Sequence, residues 1–158
     1  MFMLGKWQCY MNQLNSKYSE KSKMKELFHS SSKFILITLK PMVDGTGEEV
    51  EDDDLVGFLM WRFDFEDTLI QNVKQSVTYC YELQIESDYF GLGFGSRLIE
   101  ILSLISCRVS IRKIMLTVQI INESALKFYR HLSFEIDDIS PSKFEQKTDY
   151  EILSKVVL

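Results

Sequence analysis

The chain has 158 residues, of which 46% are hydrophobic and 13% aromatic, and this composition predicts a well-packed domain and excludes a disordered protein. Its formal net charge of -5 disfavours direct nucleic-acid binding and suits a basic peptide partner. The sequence shows no leader-like segment and no apolar run of about 18 residues, so we expect a soluble, cytoplasmic and nuclear protein without membrane contact.

Hydrophobic periodicity predicts a helical amino-terminal segment over residues 1–32, with a short lysine-rich helix at residues 19–27. We interpret residues 1–158 as a single domain that begins with this segment. Short β-branched and aromatic runs then predict three strands, at residues 33–39, 55–65 and 76–87. The acidic stretch at residues 44–54 predicts a solvated hairpin loop, and the alternative is a surface that attracts a basic substrate.

In the second half, helical periodicity predicts helices from the glycine-rich stretch to near Val109 and over residues 122–132. Strands are predicted at residues 114–119, 134–136 and 150–153. Because strands and helices do not alternate in the first half, we predict a layered α+β fold and not a doubly wound Rossmann fold. Its central sheet would be mixed, mostly antiparallel, with about 6–7 strands flanked by helices.

Three glycines, Gly91, Gly93 and Gly95, lead from the third strand into a helix. Glycine lets the backbone approach a bulky anion, and the first N–H groups of a helix have no internal partner. The order of strand, glycine turn and helix therefore predicts a cradle for a diphosphate.

Cysteine usage predicts no metal site. Cys9, Cys80 and Cys107 are far apart and lack the close spacing of zinc ligands, so we interpret them as reduced thiols of an intracellular protein.

Two motifs together resemble the GNAT superfamily of N-acetyltransferases. Gly93-Phe94-Gly95-Ser96-Arg97-Leu98-Ile99 is similar to the Gly-x-Gly-x-x-Leu-Leu core of its acyl-CoA site, and the stretch from Asn122 to Phe134 is similar to its signature Asn-x-x-Ala-x-x-Phe-Tyr followed by Gly-Phe. Two positions depart from the pattern, because Phe90 replaces a usual Gln or Arg and Ser133 replaces the late glycine. The resemblance implies a GNAT fold and acetyl-CoA as cosubstrate.

A narrower resemblance is to the N-alpha-acetyltransferase D (NatD) family, which acetylates the amino-terminal serine of histones four and two-A. It rests on Arg62-Phe63-Asp64, Tyr79-Cys80-Tyr81-Glu82-Leu83-Gln84, the stretch from Phe134 to Ser142, and Tyr150-Glu151-Ile152-Leu153-Ser154. Residues 1–30 match poorly, which suggests a shortened or divergent amino-terminal extension. The implied partners are basic histone amino-terminal peptides with a Ser-Gly-Arg-Gly start, without an obligate auxiliary subunit.

The resemblance assigns catalytic roles to Glu82, Tyr81 and Tyr129. Glu82 is the candidate base acting through water, because an α-amino group has a pKa of only about 7.7–8.0 and a weak carboxylate base suffices. Tyr129 stands where many GNAT enzymes place the proton donor to the departing thiolate, and the alternative is a core tyrosine. Cys80 has no histidine partner, so direct transfer is preferred to a covalent enzyme intermediate.

Coenzyme binding is assigned to the edge of the third strand, the glycine loop and the second signature. The strand edge would pair with the amide-bearing arm of coenzyme A, and the N–H of Leu83 would face the developing oxyanion. Asn122 is expected to cap its helix and also to bind the coenzyme. The cofactor-binding residues are Leu83, Gln84, Ile85, Phe90, Gly91, Leu92, Gly93, Phe94, Gly95, Ser96, Asn122, Ser124 and Phe128.

The acceptor side is assigned to aromatic residues and one carboxylate. Tyr79, Tyr81 and Tyr150 would form walls around a small first residue, and simple core packing is the alternative for each tyrosine. Asp64 would pair with an arginine near the start of the substrate. Three other functions remain open: a GNAT enzyme acting on lysine or a small amine, a noncatalytic acyl-CoA-binding module, and a Rossmann-like nucleotide binder.

Overall fold

The computed structural model describes residues 20–39 and 55–158. The chain divides into two compact units, residues 1–32 and 33–158. The described part of the first unit contains helix α1, Glu20–Leu27, close to the predicted bounds. The hydroxyl of Ser32 donates to the carbonyl of Glu26 below this helix. Predictions about residues before Glu20, including Cys9, and about the acidic stretch at 44–54 lie outside the described residues, and a single domain stays a prediction.

The second unit is a mixed sheet with helices inserted after its third and fourth strands. Its strand order is β1-β2-β3-β4-β6-β5, in which β3 and β4 are parallel and every other pair is antiparallel. The six strands found within residues 33–39 and 55–158 confirm the predicted α+β architecture. The elements are β1 Lys33–Thr38, β2 Leu55–Asp67, β3 Lys74–Ile85, α2 Phe94–Arg108, β4 Lys113–Gln119, α3 Glu123–His131, β5 Glu135–Ile136 and β6 Tyr150–Val156, with single 3-10 turns at Ser87–Tyr89 and Pro141–Phe144.

The core lies where α2 and α3 pack on the sheet. Leu98 and Leu102 of α2, one turn apart, and Tyr129 of α3 cluster with inward-facing strand residues such as Leu59 and Leu116. Each fully buried Leu side chain contributes roughly 1.5–3 kcal/mol relative to exposure, so this cluster fixes the positions of both helices. No helix within residues 20–39 and 55–158 is long and apolar enough to cross a membrane.

The two parallel strands stay together only briefly. Thr78, Tyr79 and Cys80 pair with Ile114–Leu116, and β3 then continues to Ile85 without further pairing to β4. A bulge coincides with this parting, because Met60 lies opposite Glu82 while Trp61 lies opposite Cys80, which leaves Tyr81 as the extra residue. A bulge bends its strand and increases the local twist. The sheet is therefore open between the carboxyl ends of β3 and β4.

The β2–β3 hairpin is longer than predicted. The predicted link at residues 66–75 is reduced to a short tip, because β2 runs to Asp67 and β3 already begins at Lys74. The tip closes through a hydrogen bond from the N–H of Thr68 to the carbonyl of Val73, and Asn72 has a φ of 63°. Asparagine tolerates this left-handed conformation, so Asn72 was a local signal for a tight turn. The pattern of the flanking residues led instead to the prediction of a longer link.

Other boundaries shift by a few residues. β6 extends to Val156 and not to Leu153, and β5 begins at Glu135 because Phe134 is buried in the core instead of paired in the sheet. Ser133 has a φ of 65°, so the chain keeps the left-handed turn for which the family uses glycine.

One buried ion pair ties the end of the sheet to its last loop. Nζ of Lys113, at the start of β4, lies 2.6 Å from Oδ2 of Asp137, whose side chain is almost fully buried. Burial alone would raise the pKa of Asp137, but hydrogen bonds from Lys113 and Ser154 hold that pKa below its ordinary value. The loop is fixed further by Ser140 and Ser142, whose hydroxyls both donate to Oε2 of Glu151.

We predict that Asp137→Asn lowers the free energy of unfolding by about 3 kcal/mol at neutral pH, since it leaves Lys113 without its charge partner. The folded pKa of Asp137 is lowered, so its stabilisation is present above the unfolded value of about 3.9 and is lost as pH falls through the folded value. Urea unfolding at several pH values should therefore show the two proteins converging in acid. The exposed neighbour variant Asp138→Asn is the control, and a pH-independent difference would contradict the assignment.

Candidate active site

The glycine loop between β3 and α2 has the geometry of an anion cradle. Gly91 and Gly93 have φ values of 75° and 83°, and a Cβ atom added at either position would meet no atom within 4 Å. Gly93 caps α2 without any side-chain hydrogen bond, and the first helical bond runs from the N–H of Arg97 to its carbonyl. The first-turn N–H groups of a helix have no partner within the helix, and the space beside Gly91 and Gly93 is open, which fits the diphosphate of a coenzyme.

Three elements meet beneath this loop. A Cβ added to Gly95 would lie 3.1 Å from Cζ of Phe128 and 3.7 Å from Cδ2 of Leu83. A side chain at position 95 would press on the Phe128 ring of α3, so the structure brings together one predicted coenzyme residue from each of β3, α2 and α3. By contrast, Phe90 and Leu92 project from the loop and are exposed.

The edge of β3 that faces β4 is unpaired beyond Cys80 in the part of the chain that the structure describes. On their other side Leu83, Gln84 and Ile85 pair with β2, opposite Leu59, Phe58 and Gly57. Backbone groups at this open edge are suited to pairing with an extended amide-bearing ligand, which is the role predicted for them.

Asn122 caps α3, as the sequence predicted. Its Oδ1 accepts hydrogen bonds from the N–H of Ala125, at 3.1 Å, and from the hydroxyl of Ser124, at 3.0 Å. The side chains of Asn122 and Ser124 thus stabilise the first turn of α3. Their contact with coenzyme stays a prediction.

Aromatic side chains and a carboxylate gather where β3 leaves β4. The hydroxyl of Tyr81 donates to Oδ2 of Asp64 at 2.9 Å, and the rings of Tyr79 and Tyr81 are 4.8 Å apart. The guanidinium of Arg62 lies 4.3 Å from the centre of the Tyr81 ring, a cation–π contact. The structure therefore joins three of the predicted acceptor-side residues. Tyr150 lies on β6, across β4 from β3, and is near enough to Tyr79 to contribute to the raised pKa of that residue.

Both tyrosines are protonated at physiological pH. Burial, followed by the hydrogen bond to Asp64, raises the pKa of Tyr81 to about 12. Burial also raises the pKa of Tyr79, whose hydroxyl is hydrogen-bonded to Thr117 on β4. Tyr81 can therefore orient a peptide but cannot serve as a base near neutral pH.

Glu82 lies next to the bulge and is held by a neighbour on its own strand. Its Oε1 accepts a hydrogen bond from the side-chain amide of Gln84. Nearby, burial and the Glu82 carboxylate raise the pKa of Cys80 to about 12. Cys80 is therefore a thiol at neutral pH, a poor nucleophile.

Tyr129 is a core residue of α3. Its ring makes edge-to-face contacts with Phe128 and Phe134, with centroids 5.0 and 5.5 Å away. Burial raises its pKa well above the ordinary value, so the hydroxyl stays protonated. Packing explains why the residue is aromatic, and its role as a proton donor stays a prediction.

Sequence reasoning missed Glu66. Burial and then the charge of Asp64 raise its pKa, so the two carboxylates lie close enough to repel each other. Arg62, Asp64 and Glu66 alternate along β2 and share one face. That alternation was the available signal, but residue 66 was predicted to lie outside the strand.

Residues 9–134 match the Acetyltransferase (GNAT) family. The chain belongs to this family. Membership confirms the predicted GNAT fold and acetyl-CoA as the cosubstrate.

Several solved structures share the fold. Arabidopsis thaliana NAA60 in complex with a bisubstrate analogue is 17% identical, with 96% of this chain and 91% of that chain covered at a TM-score of 0.64. Ard1 from Thermoplasma volcanium is 15% identical, with 94% and 86% covered and a TM-score of 0.59. Arabidopsis thaliana Naa50 with the bisubstrate analogue CoA-Ac-MVNAL is 22% identical, with 89% and 83% covered and a TM-score of 0.54.

We predict that Gly93→Val weakens coenzyme A binding by at least about tenfold. A β-branched residue is strained at a φ of 83° and would crowd the backbone donors of the loop. Titration calorimetry measures the dissociation constant, and Asn72→Val imposes comparable strain at the distant hairpin tip as a control. Unchanged affinity in Gly93→Val would remove this loop from the coenzyme site.

Proposed function

We propose that this protein is an acetyl-CoA-dependent N-alpha-acetyltransferase that acetylates the amino-terminal serine of histones four and two-A. One observation carries the proposal: the hydrogen-bonded pair of Asp64 and Tyr81 lies beside Tyr79, at the point where β3 parts from β4. A carboxylate set among tyrosine rings, and hydrogen-bonded to Tyr81 at the start of the opening between β3 and β4, suits a basic peptide that enters amino terminus first.

Glu82 suits an α-amine better than a lysine side chain. An α-amino group has a pKa of about 7.7–8.0, against about 10.4 for lysine, so it is partly neutral at physiological pH. A carboxylate base acting through water needs only to remove the remaining proton. The hydrogen bond from Gln84 holds the Glu82 carboxylate in place for that step.

The acidic pair on β2 supports recognition of arginine at the third position of the substrate. Asp64 and Glu66 lie on the same face of β2, and their repulsion contributes to the raised pKa of Glu66. A guanidinium placed between them would relieve that repulsion and donate charge-assisted hydrogen bonds to the carboxylate oxygens of both residues.

The first residue of the substrate would be confined by the tyrosine rings. Tyr81 occupies the bulge and is fixed by Asp64, and Tyr79 is fixed by Thr117. Because both rings are held by hydrogen bonds, they cannot easily move apart to make room for a bulky first side chain. A small first residue such as serine is therefore favoured.

Acetyl-CoA, when bound, supplies the acetyl thioester. The N–H of Leu83 on the open edge of β3 would donate to the thioester oxygen as negative charge develops on it. Cys80 remains protonated, which supports direct transfer to the amine without an acyl-enzyme. Tyr129, also protonated, would give its proton to the departing thiolate.

The decisive experiment is acetyl transfer from acetyl-CoA to the peptide Ser-Gly-Arg-Gly-Lys, beside the same peptide with a blocked amino terminus. We expect acetylation of the free peptide alone, and a higher KM when alanine replaces its arginine because Asp64 and Glu66 lose their partner. Acetylation of the blocked peptide would move the function to a lysine acetyltransferase. Coenzyme binding without transfer to either peptide would favour a noncatalytic module.

We predict that Glu82→Gln lowers kcat on the free peptide by roughly 10²–10⁴-fold and leaves the dissociation constant of coenzyme A unchanged. The amide keeps the size of the side chain but cannot accept the proton. Steady-state kinetics and calorimetry measure the two quantities, with exposed Glu135→Gln on β5 as the control. Equal losses in turnover and coenzyme affinity would contradict a base role.

A further inference from the structure

The two loops at the open end of the sheet carry acidic and apolar side chains. Residues 86–96 after β3 include Glu86 and Asp88 but no Lys or Arg, and residues 120–123 after β4 read Ile-Ile-Asn-Glu. Because β3 and β4 are parallel, both loops follow carboxyl ends and lie at the same edge of the sheet. Coenzyme A, with its diphosphate and 3′-phosphate, is strongly anionic, so these loops do not match it in charge.

The nearest cations in the described sequence already have acidic partners. Nη1 of Arg97, in the first turn of α2, lies 2.6 Å from Oε2 of Glu100. Nζ of Lys127 on α3 lies 3.8 Å from Oε2 of Glu123. Both pairs are exposed, and each places a carboxylate beside a cation, which lowers the positive potential that either cation offers to a phosphate.

Phe90 is presented at the entrance of the glycine loop. Its side chain is 68% exposed, and it immediately precedes Gly91, which has a φ of 75°. The backbone at this point is fixed, since the N–H of Phe90 donates to the carbonyl of Ser87 at 3.1 Å. The preceding ring of Tyr89 packs against Phe94 on α2, with centroids 6.3 Å apart. The Phe90 ring is thus exposed, while the backbone that carries it is held by a hydrogen bond and by the neighbouring ring contact.

We propose that the Phe90 ring stacks on the adenine of the coenzyme, and that this apolar contact replaces charge pairing at the nucleotide end. Adenosine is joined directly to the diphosphate, so it reaches side chains that flank the glycine loop. Aromatic stacking suits any base face and needs no cation. The inference rests on the coenzyme assignment of the proposed function and not on its acetyl acceptor.

The first test compares coenzyme A binding to four variants by titration calorimetry. If the ring stacks on adenine, Phe90→Ala should weaken coenzyme A binding roughly tenfold. Phe90→Leu should restore only part of that affinity, and Phe90→Trp should restore all of it. Phe65→Ala is the matched control, because that ring is 66% exposed on β2 and its loss should change nothing. Equal affinity of Phe90→Ala and the unaltered protein overturns the inference, and so does equal binding by the Leu and Trp variants.

The second test identifies which part of the coenzyme meets the ring. Phe90→Ala should weaken coenzyme A and 3′-dephospho-coenzyme A by the same factor and leave competition by 4′-phosphopantetheine unchanged. An equal loss for 4′-phosphopantetheine would put the ring against the pantetheine arm and overturn the inference. A loss confined to the coenzyme that carries the 3′-phosphate would also overturn it.

Salt provides the third test. If phosphate pairing contributes little, the dissociation constant of coenzyme A should change less than about twofold between roughly 0.02 and 0.3 M salt, and Asp88→Asn should tighten binding at low salt. A steep weakening with salt overturns the inference. Absence of coenzyme binding by the unaltered protein overturns the proposed function as well, whereas the outcomes above affect this inference alone.

Discussion

The parting of β3 from β4 is the constraint on which the rest of the structure depends. Parallel pairing ends at Cys80, and the bulge at Tyr81 bends β3 while it remains paired with β2. Beyond Cys80, backbone N–H and C=O groups of β3 therefore face the gap. In a continuous sheet these groups would be hydrogen-bonded to β4. The helices that follow these two strands, α2 and α3, are fixed on the sheet through Leu98, Leu102 and Tyr129.

The gap has two chemically different sides. Toward α2 the predicted ligand groups are backbone, and glycine leaves the loop open at Gly91 and Gly93 and keeps Gly95 clear of the Phe128 ring. Toward β2 the groups are side chains, with tyrosines kept protonated by burial and a carboxylate already held by Tyr81. One side thus suits a diphosphate and the other suits the basic peptide of the proposed function.

Part of the narrower family resemblance has a structural explanation. In the stretch from Phe134 to Ser142, Asp137 binds Lys113 and Ser140 binds Glu151 of β6. These contacts hold the last loop to the sheet and would be needed whatever the acceptor is. The substrate proposal is therefore supported by residues of β2 and β3, namely Asp64, Glu66 and Tyr81, and not by this last loop.

The sequence by itself determined the order of strands and helices, the glycine loop and the cap at Asn122, because these depend on local backbone preferences and on periodicity within short segments. It did not reveal the bulge at Tyr81, the hydrogen bond from Tyr81 to Asp64, or the proximity of Glu66 to Asp64. Those features depend on the register between β2 and β3, and a single extra residue in one strand changes which side chains meet. Only the folded sheet fixes that register, since hairpin length and the packing of both strands on the core decide it together.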